Sequence, residues 1–504
     1  NSSIDRTRSW FRGWGYQYDK GGTPFYDYNV FKQGKEENTN YYTNEAANTR
    51  SVAFFVMGTY SYKGKYTLTG TGRYEGTNRL GKSRSARWLP TWNIAGAWNV
   101  HEEKFYSNFS HPVLSHATLK ASYSLTADRG PAFVTNSQTI LNSYSPWRPS
   151  ASVTESGMRI TELENSELTY EKKHEFNVGV DLGFLHNRIN LAADYYRRNN
   201  FDLIGVINTQ GAGGTIAKYA NIASMRSSGI ELTLSTQNIK KKDFSWNTDF
   251  IFSNTKNEVT DLQSNSSVIE MISGSGFALE GYPVRSLFSM DFRGLNESGY
   301  PTFINEDGNL TVSNINFQER IKKGHLIYEG PTDPTITGSF GNSFKYKNFL
   351  LNLFITYSFG NVIRLDPVFH NQYSDLDAMP REFINRWTKG GDEKYTDIPV
   401  IADKRANQQD PYLSYAYNAY NYSTARIAKG DFIRMKEISL TYNFPKKLIV
   451  KAGVSDLSLK LQATNAFLIY SDKKLNGQDP EFFNTGGVAS PVPQQFTLTL
   501  RLGI

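Results

Sequence analysis

The residue types that most often carry chemistry are sparse in this chain and show no catalytic spacing. The seven histidines form no H-E-x-x-H pair and cysteine is absent, which excludes thiolate metal sites, iron–sulfur clusters, disulfides and cysteine nucleophiles. His111 and His116 are five residues apart, and on a strand that spacing points the rings to opposite faces. Neither a G-x-S-x-G elbow nor a phosphate-binding loop occurs. We therefore predict no enzyme, no metal site and no cofactor.

A second group of candidates consists of acidic side chains in segments rich in turn residues. Segment 305–308 (Asn-Glu-Asp-Gly) is similar to part of a calcium loop, but Phe303 stands where the first Asp ligand belongs, so a plain turn is favoured. Asp375 and Asp377 form a carboxylate pair, and glycoside hydrolysis uses two carboxylates. A soluble carbohydrate-active β protein therefore stays open as an alternative.

A tyrosine-rich segment is the strongest candidate for a binding surface. Pro411–Tyr422 holds five tyrosines in twelve residues. A tyrosine offers a flat apolar ring and a hydroxyl, which suits stacking on sugars or packing against a partner protein. A loop that packs on itself is an equally favoured interpretation. Arg381 and Trp387 lie upstream with helix-like spacing, and we expect that segment to cap the tyrosines.

The elements that must position these side chains are strands, because the dominant pattern is alternation with period two. Residues 176, 178, 180, 182 and 184 are apolar and the intervening residues are polar or glycine. The same alternation recurs at 230–235 and at 496–504. A strand gathers such residues on one face, whereas a helix would scatter them. The longest apolar stretch lies near Val52–Met57, too short for a membrane-spanning helix of about 20 residues.

Turn residues and alternation together predict about 14 strands. Their approximate ranges are 51–62, 65–76, 89–100, 114–126, 173–184, 188–200, 228–237, 244–255, 283–294, 335–346, 349–360, 431–444, 455–464 and 495–504.

The connections between these strands alternate between short and long. Short turns are predicted at 63–64, 185–187 and 346–347, all at one end of the sheet, where the chain also ends. The long connections are rich in Gly, Asn, Ser, Asp and Tyr. Short turns at one end, long loops at the other and aromatic residues near strand ends are typical of transmembrane β-barrels. The predicted fold class is all-β, a transmembrane antiparallel β-barrel.

The overall charge gives little information about partners. The net charge is +7, from 55 basic and 48 acidic residues, and apart from Lys240–Lys242 the basic residues are spread thinly. Such a distribution does not indicate a nucleic-acid partner. Contact with lipopolysaccharide phosphates in the outer membrane is a hypothesis that rests only on this surplus.

Nine stretches, in order, resemble the SusC/RagA-type TonB-dependent transporters of the Gram-negative outer membrane, and they cover nearly the whole chain. They are YTLTGTGRYEGTNRL from Tyr66, WLPTWNIAGAWNV from Trp88, LKASYSLTADRG from Leu119, ELTYEKKHEFNVGVDLGF from Glu167, NRINLAADYYRRNNFDLI from Asn187, NIASMRSSGIELTL from Asn221, EGYPVRSLF from Glu280, GDFIRMKEISLTYNFPKKL from Gly430, and QATNAFLIYS from Gln462 followed by GQDPEF from Gly477.

The resemblance implies a place within a larger architecture. Members of this family consist of a globular plug followed by a 22-stranded barrel. The resemblance implies that residues 1–504 correspond to the C-terminal portion of that single barrel domain. No plug and no TonB box are recognisable in the sequence. Three explanations stay open: an excerpt or cleavage product, a partner half on a separate chain, or a small pore that closes alone.

The resemblance also implies active import across the outer membrane. A SusD-like surface lipoprotein is expected as a lid, the TonB–ExbB–ExbD complex is expected to act through the plug, and barrel–lid pairs are expected to dimerise. The nutrient expected is an oligosaccharide, with an oligopeptide as the alternative, and an adhesin or a passive porin as alternatives without energised transport. By their position in long loops, we expect six residues to contact lid or ligand: Tyr412, Tyr415, Tyr417, Tyr420, Trp387 and Arg381.

Overall fold

The computed structural model describes residues 2–12, 42–80, 84–108, 113–130, 139–144, 157–208, 217–262, 266–274, 276–368, 381–401, 404–449, 453–482 and 493–503. Its main feature is a 14-stranded antiparallel sheet in which each strand pairs with the next along the chain, once the strands of the connections are set aside. The predicted positions His111, Asp375 and Asp377 lie outside the described residues.

The strands of the main sheet are β1 Ser2–Arg12, β2 Tyr42–Tyr62, β3 Tyr66–Thr77, β4 Trp88–Asn99, β5 Leu114–Asp128, β8 Glu171–Phe184, β9 Ile189–Asn208, β10 Ala217–Lys240, β11 Phe244–Leu262, β17 Ile336–Tyr346, β18 Phe349–Phe359, β21 Phe432–Asn443, β22 Asp456–Ser471 and β23 Gln495–Gly503. Short strands in the connections are β6 Ile140–Tyr144, β7 Gly157–Glu162, β12 Ser286–Met290, β13 Phe292–Leu295, β14 Pro301–Ile304, β15 Leu310–Thr311, β16 Leu326–Pro331, β19 Val362–Arg364 and β20 Ile427–Lys429.

The helices are short and lie outside the main sheet. The α-helices are Arg84–Arg87, Lys104–Asn108, Val268–Ser273, Lys404–Gln409, Leu413–Asn421 and Lys446–Ile449, and the 3₁₀ turns are Val100–Glu102, Arg381–Asn385, Asp392–Lys394, Thr424–Arg426, Lys473–Leu475 and Pro480–Phe482. In the part of the chain that the structure describes, no helix is both long and apolar enough to cross a membrane.

The pairing register gives the sheet one apolar and one polar face. Leu351, Leu440, Leu461 and Leu498 stand opposite one another across β18, β21, β22 and β23, and the last three are 43%, 56% and 69% exposed. The adjacent row on the other face holds Ser439, Gln462 and Thr497. Because successive side chains alternate between faces, one surface suits lipid and the other suits an aqueous lumen.

The connections alternate between the two ends of the sheet as predicted, but their lengths overlap, since connection 209–216 is shorter than connection 100–113. Short connections, at 63–65, 100–113, 185–188, 241–243, 347–348 and 444–455, lie at one end of the sheet, which we call the short-connection end. Lys63 and Gly64, in the three-residue connection 63–65, have φ of 53° and 70°, the left-handed conformation that tight hairpin connections use. The longest connections, which include 129–170, 263–335 and 360–431, lie at the opposite end, which we call the long-connection end, together with the shorter connections 78–87 and 209–216.

Two of the strand predictions need correction. Segment 283–294 does not join the main sheet: Ser286–Met290 is buried throughout and pairs with β16 inside a long connection. Counting it as a crossing strand would have put the turn at 346–347 at the wrong end. Conversely, β1 pairs with β2 along eleven residues but was not predicted. One strand was predicted in excess and one was missed, so the predicted number of 14 strands equals the observed number.

Candidate functional site

Two long connections fold together into one body at the long-connection end. Connections 263–335 and 360–431, which we call the loop body, share a core that draws on both. Its fully buried members include Met271, Phe303, Leu413 and Tyr420. The amide of Met290 donates to the carbonyl of Tyr422 at 3.0 Å, which joins the two connections through their backbones.

Helical geometry divides the tyrosine-rich segment into an inner and an outer set. In the helix Leu413–Asn421, Tyr417 and Tyr420 are each 1% exposed. Tyr417 donates its hydroxyl hydrogen to the carbonyl of Val400 at 2.7 Å, and burial raises the pKa of Tyr420 to about 12. The predicted ligand contact is therefore not available to these two rings, because the core covers them. The alternative of a self-packing loop applies to them.

Tyr412 and Tyr415 form the outer set. They are 60% and 44% exposed, and their ring centroids are 5.7 Å apart. Tyr415 is braced from behind by Phe317 in an edge-to-face contact at 5.8 Å. Two supported, exposed rings of this kind offer a surface for stacking against a ligand or partner.

The two other predicted contact residues have different surroundings. Trp387 donates its indole N–H to Glu393 at 3.1 Å, and its ring lies against Gly299 so closely that a Cβ there would come within 2.5 Å of it. Trp387 is thus half-buried and holds the loop body together. Arg381 is exposed at the start of the turn Arg381–Asn385, so it is available for contact.

Buried arginines that sequence reasoning missed fix the loop body. Arg364 donates to the carbonyl of Phe288 at 2.6 Å and its guanidinium lies 5.5 Å from the ring of Tyr422. Burial lowers the pKa of Arg364 to about 10. Arg426, 2% exposed, pairs with Glu382 at 2.7 Å and donates to the carbonyl of Asp366 at 2.7 Å. These contacts connect segments that are far apart in sequence.

A third buried arginine joins the sheet to the last long connection. Arg434 of β21 pairs with Asp479 at 2.5 Å, and the two side chains are 3% and 1% exposed. Glu481 adds a second carboxylate at 3.3 Å. The stretch that begins at Gly430 therefore contacts the stretch that begins at Gly477. The sequence signal for this ion pair was the presence of an arginine in the first stretch and of two carboxylates in the second.

The polar face carries ion pairs along its length. Lys120 and Asp181 are 2.8 Å apart on neighbouring strands, and Lys460 and Glu437 are 3.3 Å apart. Throughout the ranges described, no group of three or more metal-ligating side chains comes together. The polar face is thus lined by paired charges of both signs.

Comparison with known proteins decides the family. A family model described as "TonB dependent receptor-like, beta-barrel" matches residues 1–457. The chain belongs to the TonB-dependent receptor family. It is 25% identical to the TonB-dependent receptor SusC of Bacteroides thetaiotaomicron over 485 residues, 90% of this chain and 43% of SusC. It is also 25% identical to TonB-dependent receptor P3 of Formosa agariphila over 455 residues, 87% of this chain and 42% of that receptor.

A solved structure has the same fold. The RagAB peptide transporter superposes with a TM-score of 0.74 at 21% identity, over 92% of this chain and 48% of that chain. The chain thus spans about half the length of the relatives it matches. The family confirms the predicted antiparallel sheet of TonB-dependent barrel type, the SusC/RagA resemblance, the outer-membrane location and the prediction of a non-enzymatic protein.

Proposed function

We propose that this chain forms the C-terminal part of a SusC/RagA-type barrel that imports a nutrient oligomer across the outer membrane by TonB-dependent transport. The observation that carries the proposal is the sheet itself: fourteen strands with an apolar face, an ion-paired polar face and a structured body at one end. In this proposal residues 1–504 are one portion of a single barrel domain, completed by further strands and a plug. The plug receives the pull of the TonB–ExbB–ExbD complex.

A SusD-like lipoprotein is the proposed lid over the long-connection end. The loop body exposes large apolar side chains there, including Ile321 at 88%, Ile384 at 76% and Tyr395 at 89%. Exposed apolar residues on a rigid support favour a protein partner. Co-purification of a lipoprotein with the complete receptor, lost when Ile321 and Ile384 are replaced by Ser, supports this arrangement, and unchanged co-purification contradicts it.

An oligosaccharide is the nutrient class that the exposed aromatic pair favours. Tyr412 and Tyr415 offer two exposed rings whose centroids are 5.7 Å apart, and Arg381 is exposed in the same loop body. Oligopeptides are the second candidate, because the RagAB transporter, which shares this fold, is described as a peptide transporter.

Uptake measurements on the complete receptor test this function. Cells are supplied with labelled oligosaccharides or oligopeptides, with and without a protonophore that abolishes the energy supply to TonB. Energy-dependent uptake that falls in Tyr412→Ala and Tyr415→Ala, but not in the exposed loop-body variant Lys389→Ala, supports an importer with this contact surface. Uptake that is unchanged by the protonophore favours a passive porin. Binding of the ligand to the cells without uptake favours an adhesin.

A further inference from the structure

The net positive charge is concentrated at one end of the sheet, although the sequence spreads its basic residues thinly. The described residues of the six short connections include nine Lys and Arg but three Asp and Glu. That surplus of six nearly equals the net charge of +7 for the whole chain. The described residues of connections 263–335 and 360–431 at the opposite end include 14 basic and 16 acidic residues. The surplus of positive charge therefore lies at the short-connection end, whereas contact with lipopolysaccharide phosphates would require basic residues at the long-connection end.

Lysines at the short-connection end are exposed and lie next to interfacial aromatic rings. The exposed set comprises Lys63, Lys241, Lys242, Lys347, Lys446 and Lys447. The ammonium of Lys63 lies 5.1 Å from the centroid of Tyr62, and that of Lys347 lies 5.5 Å from the centroid of Tyr346. Among the described residues neither lysine has a carboxylate partner. A lysine above an aromatic ring at the edge of an apolar face is the arrangement found at the headgroup level of a bilayer.

A groove opens in the apolar face beside Lys63. Its volume is about 520 Å³, and its lining includes Tyr62, Tyr66, Leu68, Gly96, Trp98 and Leu119. The register explains the depression. Leu68, Gly96 and Ala121 stand side by side in one row, next to the larger row of Tyr66, Trp98 and Leu119. A Cβ placed on Gly96 meets nothing within 4 Å, so the space above this residue is open.

Glu103 holds the aromatic wall of the groove in place. It accepts hydrogen bonds from Lys65 at 2.8 Å, from the Tyr66 hydroxyl at 2.5 Å and from the Trp98 indole at 3.3 Å. These hydrogen bonds lower the pKa of Glu103 to about 2. The bond from Lys65 has the largest effect and the bond from Tyr66 the next largest. Lys65 is thereby paired with a carboxylate, whereas the ammonium of Lys63, without such a partner among the described residues, lies beside Tyr62 of the groove lining.

We infer that this groove binds an anionic phospholipid of the leaflet at the short-connection end, with an acyl chain against Gly96 and the phosphate at Lys63. In outer-membrane barrels short turns face the periplasm, so the lipid belongs to the inner, phospholipid leaflet. An apolar groove alone would accept any acyl chain. The uncompensated lysines at this end select a negatively charged headgroup, because juxtamembrane basic residues are attracted to anionic lipid.

Native mass spectrometry of the complete receptor in mild detergent tests the inference with phosphatidylglycerol and phosphatidylcholine as probes. We expect preferential binding of phosphatidylglycerol. Lys63→Asn keeps a residue that tolerates the left-handed turn and should lower phosphatidylglycerol affinity about fivefold, the factor one lysine contributes near an anionic surface. Gly96→Leu fills the groove and should lower the affinity for both lipids.

Matched controls are available on the same chain. Gly58 lies in strand β2, two strands away from Gly96 in the sheet, and a Cβ there also meets nothing within 4 Å, so Gly58→Leu adds the same bulk at a residue that does not line the groove. Lys389→Asn removes an exposed charge from the loop body at the opposite end. Both should bind lipid like the wild type.

Three results would overturn the inference. The first is equal affinity of the wild type for the two lipids, and the second is unchanged binding in folded Lys63→Asn and Gly96→Leu. The third is an equal loss in Gly58→Leu, which would mean that added bulk anywhere on this face disturbs binding. Lipid binding in detergent needs no import, so a failure here leaves the proposed transport function standing.

Discussion

Replacing Arg434 by Met should release the last long connection from the sheet. The change removes one partner of an ion pair whose side chains are 3% and 1% exposed, and it leaves the Asp479 carboxylate buried without that guanidinium. Removing one member of a buried pair costs about 3–5 kcal/mol. If the free energy of local opening of the last long connection falls by this amount, amide hydrogen exchange in that connection should become roughly 150-fold to 5,000-fold faster.

Hydrogen exchange at Gln478 gives the readout. Its amide donates to the carbonyl of Leu475 at 2.9 Å, a bond that the substitution does not touch, so faster exchange reports opening of the segment. The matched control is Glu481→Gln. That carboxylate is 38% exposed and 3.3 Å from Arg434, and a partly exposed pair contributes less than about 1 kcal/mol.

A double variant separates the ion pair from simple packing. Arg434→Met combined with Asp479→Leu replaces both charges by apolar groups, and such replacements of buried pairs are often nearly neutral. We therefore expect protection well above that of Arg434→Met alone but below that of the wild type, because Asp479 also accepts a hydrogen bond from the amide of Glu481 at 3.1 Å. Exchange at Gln478 within twofold of the wild type in Arg434→Met alone would refute the reasoning, because the buried carboxylate would then be stable without its partner.

Three further outcomes follow from the same contacts. Tyr417→Ala should destabilise the loop body by about 3–5 kcal/mol, the cost of truncating a large buried aromatic residue, whereas Tyr412→Ala should leave the protease resistance of the loop body unchanged. Because the pKa of Glu103 is lowered from 4.5 to about 2, its stabilising hydrogen bonds persist above pH 4.5 and disappear as the pH falls toward 2. The difference in fluorescence between the wild type and Trp98→Phe should change over that interval, and this pH dependence should be absent when Glu103 is replaced by Gln. Gly338→Val should block assembly of the barrel, because a Cβ at Gly338 would clash with the carbonyl oxygen of Ile251. The control Gly70→Val, with open space at its Cβ, should assemble. Heat-modifiable migration in gels measures assembly of both variants.

The sequence by itself determined thirteen of the fourteen strands of the main sheet and the two faces of those strands. Those features are local: alternation assigns a side chain to a face by its position alone, and a Lys63-Gly64 turn is specified by two residues with positive φ. The predicted barrel type could therefore be derived before any tertiary contact was known. The same holds for Tyr412, whose position in a long loop predicted its exposure.

Only the tertiary structure decided which alternating segments cross the sheet and which side chains are available. Segment 283–294 alternates as the crossing strands do, but its pairing with Leu326–Pro331 buries Ser286–Met290 inside the loop body. Tyr417 differs from Tyr412 because a helix turns it toward the shared core. Likewise, the ion pair of Arg434 with Asp479 joins residues 45 positions apart. Each outcome depends on long-range pairing, whose free energy comes from contacts that no local pattern encodes.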